Sequence, residues 1–124
     1  MLSNETAVAT LAVKDLARAK QFYEGKLGLK PIDSQGEEVI VFKCGNSKIN
    51  VYRSQYAGTN EATALTWSVQ DVDTTVRELK DKGISFEHYD MPGLKQQGDV
   101  HVADGMKAAW FKDPDGNILS VVGS

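Results

Sequence analysis

The chain repeats itself. Ala9-Thr10-Leu11-Ala12-Val13-Lys14-Asp15-Leu16 is echoed by Leu65-Thr66-Trp67-Ser68-Val69-Gln70-Asp71-Val72. Val13 and Val69 stand 56 residues apart, just under half of a 124-residue chain. In both copies a strand-like run ends in Val-x-Asp and is followed by a helix-like run that stops at a glycine, Gly28 or Gly83. A half-length repeat of this kind implies two copies of one supersecondary unit, with a site shared between them.

Periodicity fills in each copy. Asp15 is a helix N-cap, and Leu16, Ala19, Phe22, Tyr23 and Leu27 recur at helical spacing. A strand over Lys30–Ser34 follows, then a hairpin of Val39–Cys44 and Ser47–Arg53 across Gly45-Asn46, a pair that tolerates positive φ. The second copy begins with a strand over Ala64–Val69. Asp71 or Asp73 caps a helix carrying Val72, Val76 and Leu79, and Ile84–Tyr89 is a strand. Asp90–Asp104, with Pro92, Gly93, Gly98 and a Gln pair, reads as a long loop, either a lid or disordered. Met106–Lys112 and Asn117–Val122 form the last hairpin, closed by Asp113-Pro114-Asp115-Gly116 as a type I turn with a glycine bulge. Each module is therefore β-α-β-β-β. The whole is one α+β domain: module one 1–54, a polar linker 55–63 and module two 64–124.

Composition narrows the function classes. Seventeen acidic and 14 basic residues give a net charge of −3 without single-sign blocks, which argues against nucleic acid. No apolar run is long enough to span a membrane, and no basic-then-apolar leader opens the chain, so the expected location is cytoplasmic. The single Cys44 fits a reducing compartment, and with no activating neighbour in view it is read as structural.

Two segments carry a family resemblance. Asp15-Leu16-Ala17-Arg18-Ala19-Lys20-Gln21-Phe22-Tyr23 through Leu27-Gly28-Leu29, and Trp110-Phe111-Lys112-Asp113-Pro114-Asp115-Gly116-Asn117, resemble the signatures of the vicinal oxygen chelate superfamily, which groups glyoxalases, bleomycin-resistance proteins and extradiol dioxygenases. The resemblance implies paired β-α-β-β-β modules whose mixed sheet curls into an open cup, and a homodimer. In metal-using relatives, four cup residues bind a divalent ion. Those positions fall here on Val8, Asn50, Ala64 and Ser120. Val and Ala have no donor atom, and Asn and Ser are weak neutral donors beside the imidazole, thiolate and carboxylate that such ions prefer. No metal and no other cofactor is expected. His88 and His101 are the only imidazoles, and both read as solvated.

Strand parity then sorts the faces. Thr10 and Ala12 face the cup while Leu11 and Val13 pack beneath the helix. Thr66 and Ser68 do likewise, and Trp67 goes to the helix side. Lys48, Asn50 and Tyr52 share the cup face with Val41 and Lys43. The bulge pairs Trp110 with Ser120 and Phe111 with Leu119, which puts Trp110 in the cup. The candidate ligand-binding residues are Thr10, Lys48, Asn50, Tyr52, Thr66, Trp110 and Ser120. Aromatic area beside a few amide and hydroxyl groups suits a small organic ligand. Lys43 opposite Lys48 is a solvated rim or an attraction for an anionic one. The expected function is metal-free binding of a drug or metabolite. The alternative is a superfamily enzyme, of lyase, isomerase or dioxygenase type, that uses no metal or a non-standard site.

Overall fold

The computed structural model describes residues 1–124, the side chain of Gln35 excepted. The chain forms two compact units, Met1–Thr59 and Asn60–Ser124. Module one runs β1 (Ala9–Val13), α1 (Leu16–Lys20), β2 (Lys30–Gln35), β3 (Val39–Cys44) and β4 (Ser47–Arg53). Its sheet order is β1-β4-β3-β2, with β1 parallel to β4 and the other pairs antiparallel. Asp15 caps α1 by accepting the Ala17 and Arg18 N–H groups at 2.9 and 3.2 Å. The helix then widens into a π turn over Gln21–Lys26, where the Leu27 N–H reaches back five residues to the Phe22 carbonyl. Two consecutive aromatics, Phe22 and Tyr23, are buried there, and Tyr23 packs against Phe42. Leu11, Val13, Phe42, Ile49 and Val51 form the rest of this core, all on one sheet face, the alternation expected of half-buried strands.

Module two runs β5 (Thr63–Ser68), α2 (Val72–Asp81), β6 (Phe86–Glu87), β7 (Lys95–Gln97), β8 (Val100–Ala103), β9 (Met106–Lys112) and β10 (Ile118–Gly123). The sheet order is β5-β10-β9-β8-β7, with β6 also pairing on β9 and β5 parallel to β10. The cap of α2 is Asp71, which accepts the Thr74 N–H at 3.1 Å and whose carboxyl is thereby held below its usual range. Asp73 instead pairs with Lys107 and holds that ammonium above its usual range. Val72, Val76, Phe111, Leu119 and Val121 are buried, and Trp67 stacks on Phe111 at 6.4 Å with ring planes 10° apart.

The segment 90–104 corrects the sequence reading. It is largely β7 and β8, a hairpin that pairs Lys95 with Val102, Gln96 with His101 and Gln97 with Val100. The pairing closes over Gly98-Asp99, and Gly98 takes the left-handed φ of +65° that so short a turn requires. Beta-8 then extends the sheet beside β9 beyond the two-residue β6, which is shorter than the expected strand. The closing turn of β9–β10 is as expected. The Gly116 N–H reaches the Asp113 carbonyl at 3.0 Å, and Trp110 pairs with Ser120 and Phe111 with Leu119. Among the described residues, no helix is long and apolar enough to cross a membrane.

Candidate functional site

Residues paired across neighbouring strands point to the same side of a sheet, so the register lays out the face turned away from each helix. In module one, Thr10 stands beside Asn50 and Asn50 beside Val41. Ala12, Tyr52 and Val39 form the next row. On the other side of the Asn50 row lie Lys48 and Lys43, and Lys30 continues that row onto β2. The structure thus brings four of the candidate residues, Thr10, Lys48, Asn50 and Tyr52, onto one face. Thr10 and Lys48 are exposed, Tyr52 is 38% exposed and Asn50 is half-buried. Lys30 escaped the sequence reading because the β2–β3 register shifts between Pro31 and Asp33.

The other three candidates, Thr66, Trp110 and Ser120, sit side by side on β5, β9 and β10 of module two. Ser120 is buried, and its hydroxyl shares a 2.7 Å hydrogen bond with Thr66. The Trp110 indole N–H donates to Thr63 Oγ1 at 3.1 Å. Two rings stand edge-on to that indole, Tyr89 at 5.4 Å and His101 at 4.9 Å.

Of the two histidines expected to be solvated, His88 is exposed and His101 is not. His88 is exposed and donates from Nε2 to Asp99 Oδ1 at 2.7 Å, while Lys80 donates to Asp99 Oδ2 at 2.7 Å. These two donors, Lys80 first, hold the Asp99 carboxyl below its usual range. His101 is 1% exposed. Its Nε2 accepts the Tyr89 backbone N–H at 3.0 Å, so that nitrogen carries a lone pair and the ring proton resides on Nδ1. Among the described residues, that buried Nδ1–H has no acceptor. A buried donor left unmade costs about 1–3 kcal/mol. The only sequence sign of His101 was its place between Val100 and Val102 in a polar stretch.

A metal centre does not fit these residues. Val8 and Ala64 offer no donor, and the Ser120 hydroxyl is engaged by Thr66. Among the described residues, no three His, Cys, Asp or Glu side chains gather as a ligand set. A groove in module one lies elsewhere, beside α1. It is an open depression of about 900 Å³ bordered by Leu16, Lys20, Pro31, Ile40 and Arg53, and none of the candidate residues lines it. Its openness to solvent makes it a weaker ligand site than its volume suggests.

Comparison with known proteins places this geometry. Protein YraH of Bacillus subtilis (strain 168), itself uncharacterised, is 26% identical over 125 aligned positions covering 90% of this chain and 91% of that protein. The structure resembles a glyoxalase family protein from Enterococcus faecalis, with a TM-score of 0.74, 20% identity and coverage of 98% of this chain and 99% of that one. It also resembles lactoylglutathione lyase from Agrobacterium tumefaciens, with a TM-score of 0.72, 18% identity and coverage of 98% and 94%. At such identities the two structures speak for the fold alone. Residues 6–121 match the sequence model of one family, which accounts for two modules that each run from a strand through a helix into further strands of a mixed sheet: the chain belongs to the Glyoxalase/Bleomycin resistance protein/Dioxygenase superfamily.

Proposed function

We propose that this protein binds a small organic molecule without a metal ion, in the manner of a drug-sequestering or metabolite-binding member of its superfamily. The observation that carries the reading is the make-up of the sheet faces turned away from the helices. Where metal-using relatives need strong donors, this chain has Val8, Asn50, Ala64 and Ser120, while the faces that carry Asn50 and Ser120 also carry Tyr52 and Trp110. Aromatic area with a few orienting polar groups is the usual make-up of organic-ligand sites. A second copy of the chain is proposed as the partner, and sedimentation at micromolar concentration tests it.

A second reading, a metal-independent enzyme, draws support from His101. A neutral imidazole with a fixed tautomer and a spare buried N–H is equipped to hydrogen-bond a substrate oxygen. Added zinc, nickel, manganese or iron restoring a glyoxalase-type activity would overturn both readings.

A thermal-shift screen against drugs, aromatic acids and metabolites tests the binding proposal, since a ligand of the native state raises its apparent stability. The paired control uses the two tryptophans. Trp110→Ala should weaken binding, with stacking worth on the order of 1 kcal/mol beyond buried area. Trp67→Ala, which removes the ring stacked on Phe111, should instead lower stability by about 3 kcal/mol. The reverse pattern would place the ligand on the helix side.

A further inference from the structure

The lysine row of module one carries the argument further. Lys30, Lys43 and Lys48 lie directly opposite one another on β2, β3 and β4. All three are exposed, and among the described residues none has a carboxylate within ion-pair distance; Lys26, Lys82 and Lys95 share that lack, and what sets the three apart is their alignment on neighbouring strands. Like charges directly opposite on neighbouring strands destabilise a sheet. Folding alone gives this chain no reason to align three of them, least of all in a protein of net negative charge. The one carboxylate in the neighbouring row is Asp33, opposite Val41, and its Oδ1 accepts the adjacent Ser34 N–H at 2.8 Å.

The rows beside the lysines complete a gradient. Two residues along each strand, about 7 Å away, come Asn50, Thr10 and Val41. A further two residues on come Tyr52, Ala12 and Val39. The side-chain amide of Asn50 makes no hydrogen bond to another described residue. One face therefore passes from cationic through a free amide to an aromatic and apolar end.

We propose that this face is an anion-binding strip. It takes a small organic acid, carrying a carboxylate or phosphate group, with the charged head on Lys30, Lys43 and Lys48 and the apolar body toward Asn50 and Tyr52. The proposal rests on the ligand-binding reading above and names the chemical class of its ligand.

Phenylphosphate and phenylacetate are the anionic probes, and benzamide and benzyl alcohol the neutral ones. All are titrated at fixed ionic strength against wild type, against K30Q/K43Q/K48Q, and against K26Q/K82Q/K95Q, which removes the same charge from exposed lysines off the strip. The anionic probes should raise the melting temperature of wild type and of the off-strip variant, bind at least tenfold more tightly than the neutral ones, and lose that advantage in K30Q/K43Q/K48Q. Without ligand at low salt, K30Q/K43Q/K48Q should melt above wild type, and the gap should close at high salt as screening removes the repulsion. Unchanged anion binding by K30Q/K43Q/K48Q, or a lower melting temperature for it without ligand, overturns the proposal. Neutral compounds that bind while the anions do not would overturn the anion strip and leave the ligand reading standing. Failure of every compound in the wider screen would remove both.

Discussion

Thr10 beside Asn50 in module one and Thr66 beside Ser120 in module two occupy the same places in the repeat, in the same parallel register, yet they behave as opposites. Thr66 and Ser120 close on each other at 2.7 Å, and Ser120 is buried. Thr10 is exposed, its hydroxyl turns to the Val8 carbonyl at 3.5 Å, and the Asn50 side-chain amide bonds to no other described residue. The repeat has kept the strand pairing and let the chemistry on it diverge. At these positions module two has turned its hydroxyls on each other, and module one has not.

The comparison breaks most visibly at the two hairpin turns. Asp113 is 5% exposed, and its Oδ1 accepts the Asp115 and Asn117 N–H groups, each at 2.9 Å. Its Oδ2 accepts the Asn117 side-chain amide at 2.8 Å. Asp113→Ala strands these donors and should cost about 3 kcal/mol in urea denaturation. Asn46→Ala, in the exposed counterpart turn of module one, should stay within about 0.5 kcal/mol. Equal costs would mean that the two turns share the work.

Next in size is Gly123, whose place in the repeat is that of Arg53 in module one. A Cβ at Gly123 would lie 2.2 Å from the Val69 carbonyl oxygen, a backbone atom that cannot swing aside. Gly123→Ala should therefore cost about 2 kcal/mol, and Arg53→Ala less than about 1 kcal/mol, since it removes only the exposed pair with Glu38. Thermal denaturation of the two variants settles the order.

The Thr pair tests the comparison directly. Thr66→Ala leaves the buried Ser120 hydroxyl without its partner and should cost about 1–2 kcal/mol, whereas Thr10→Ala should be neutral. A Thr10→Ala variant that unfolds as easily would show that the polar groups of module one are structural after all.

The smallest effect is a pH dependence that arises at Asp99 of module two. Lys80 and His88 depress the Asp99 carboxyl in the native state. A depressed carboxylate adds stability above its unfolded value, about 3.9, and that increment is lost as pH falls through the lower native value. Wild type should lose stability below about pH 4, and Asp99→Asn should flatten that acid limb by less than about 1 kcal/mol, since Lys80 and His88 are both exposed. An unaltered limb would assign acid sensitivity elsewhere.

What the sequence could disclose was whatever follows from local periodicity. Leu11 and Val13 flank Ala12, and Ile49 and Val51 flank Asn50, so the core face of module one was readable from its own alternation, whereas Phe111, Leu119 and Val121 have apolar neighbours in Trp110, Ile118 and Val122 and needed the register of the turn between their strands. The Asp113-Pro114-Asp115-Gly116 turn fixed the register that puts Trp110 beside Ser120. The β7–β8 hairpin was not readable, because Lys95, Gln96 and Gln97 are polar on both faces and carry no period. The burial of His101 involves a backbone N–H twelve residues away and two rings, Tyr89 just beyond β6 and Trp110 on β9. Lys30 needed a pairing partner that an irregular strand conceals. Each omission is a contact between segments, which local spacing does not encode.

The alternation along β3 and β4 has a consequence for anyone wishing to redesign this protein. Phe42, Ile49 and Val51 hold the core, and the residues between them, Val41, Lys43, Lys48, Asn50 and Tyr52, do not belong to it. A combinatorial library confined to those five codons leaves these buried side chains untouched while rewriting a whole surface, so the scaffold can be re-aimed at new compounds without first being rebuilt.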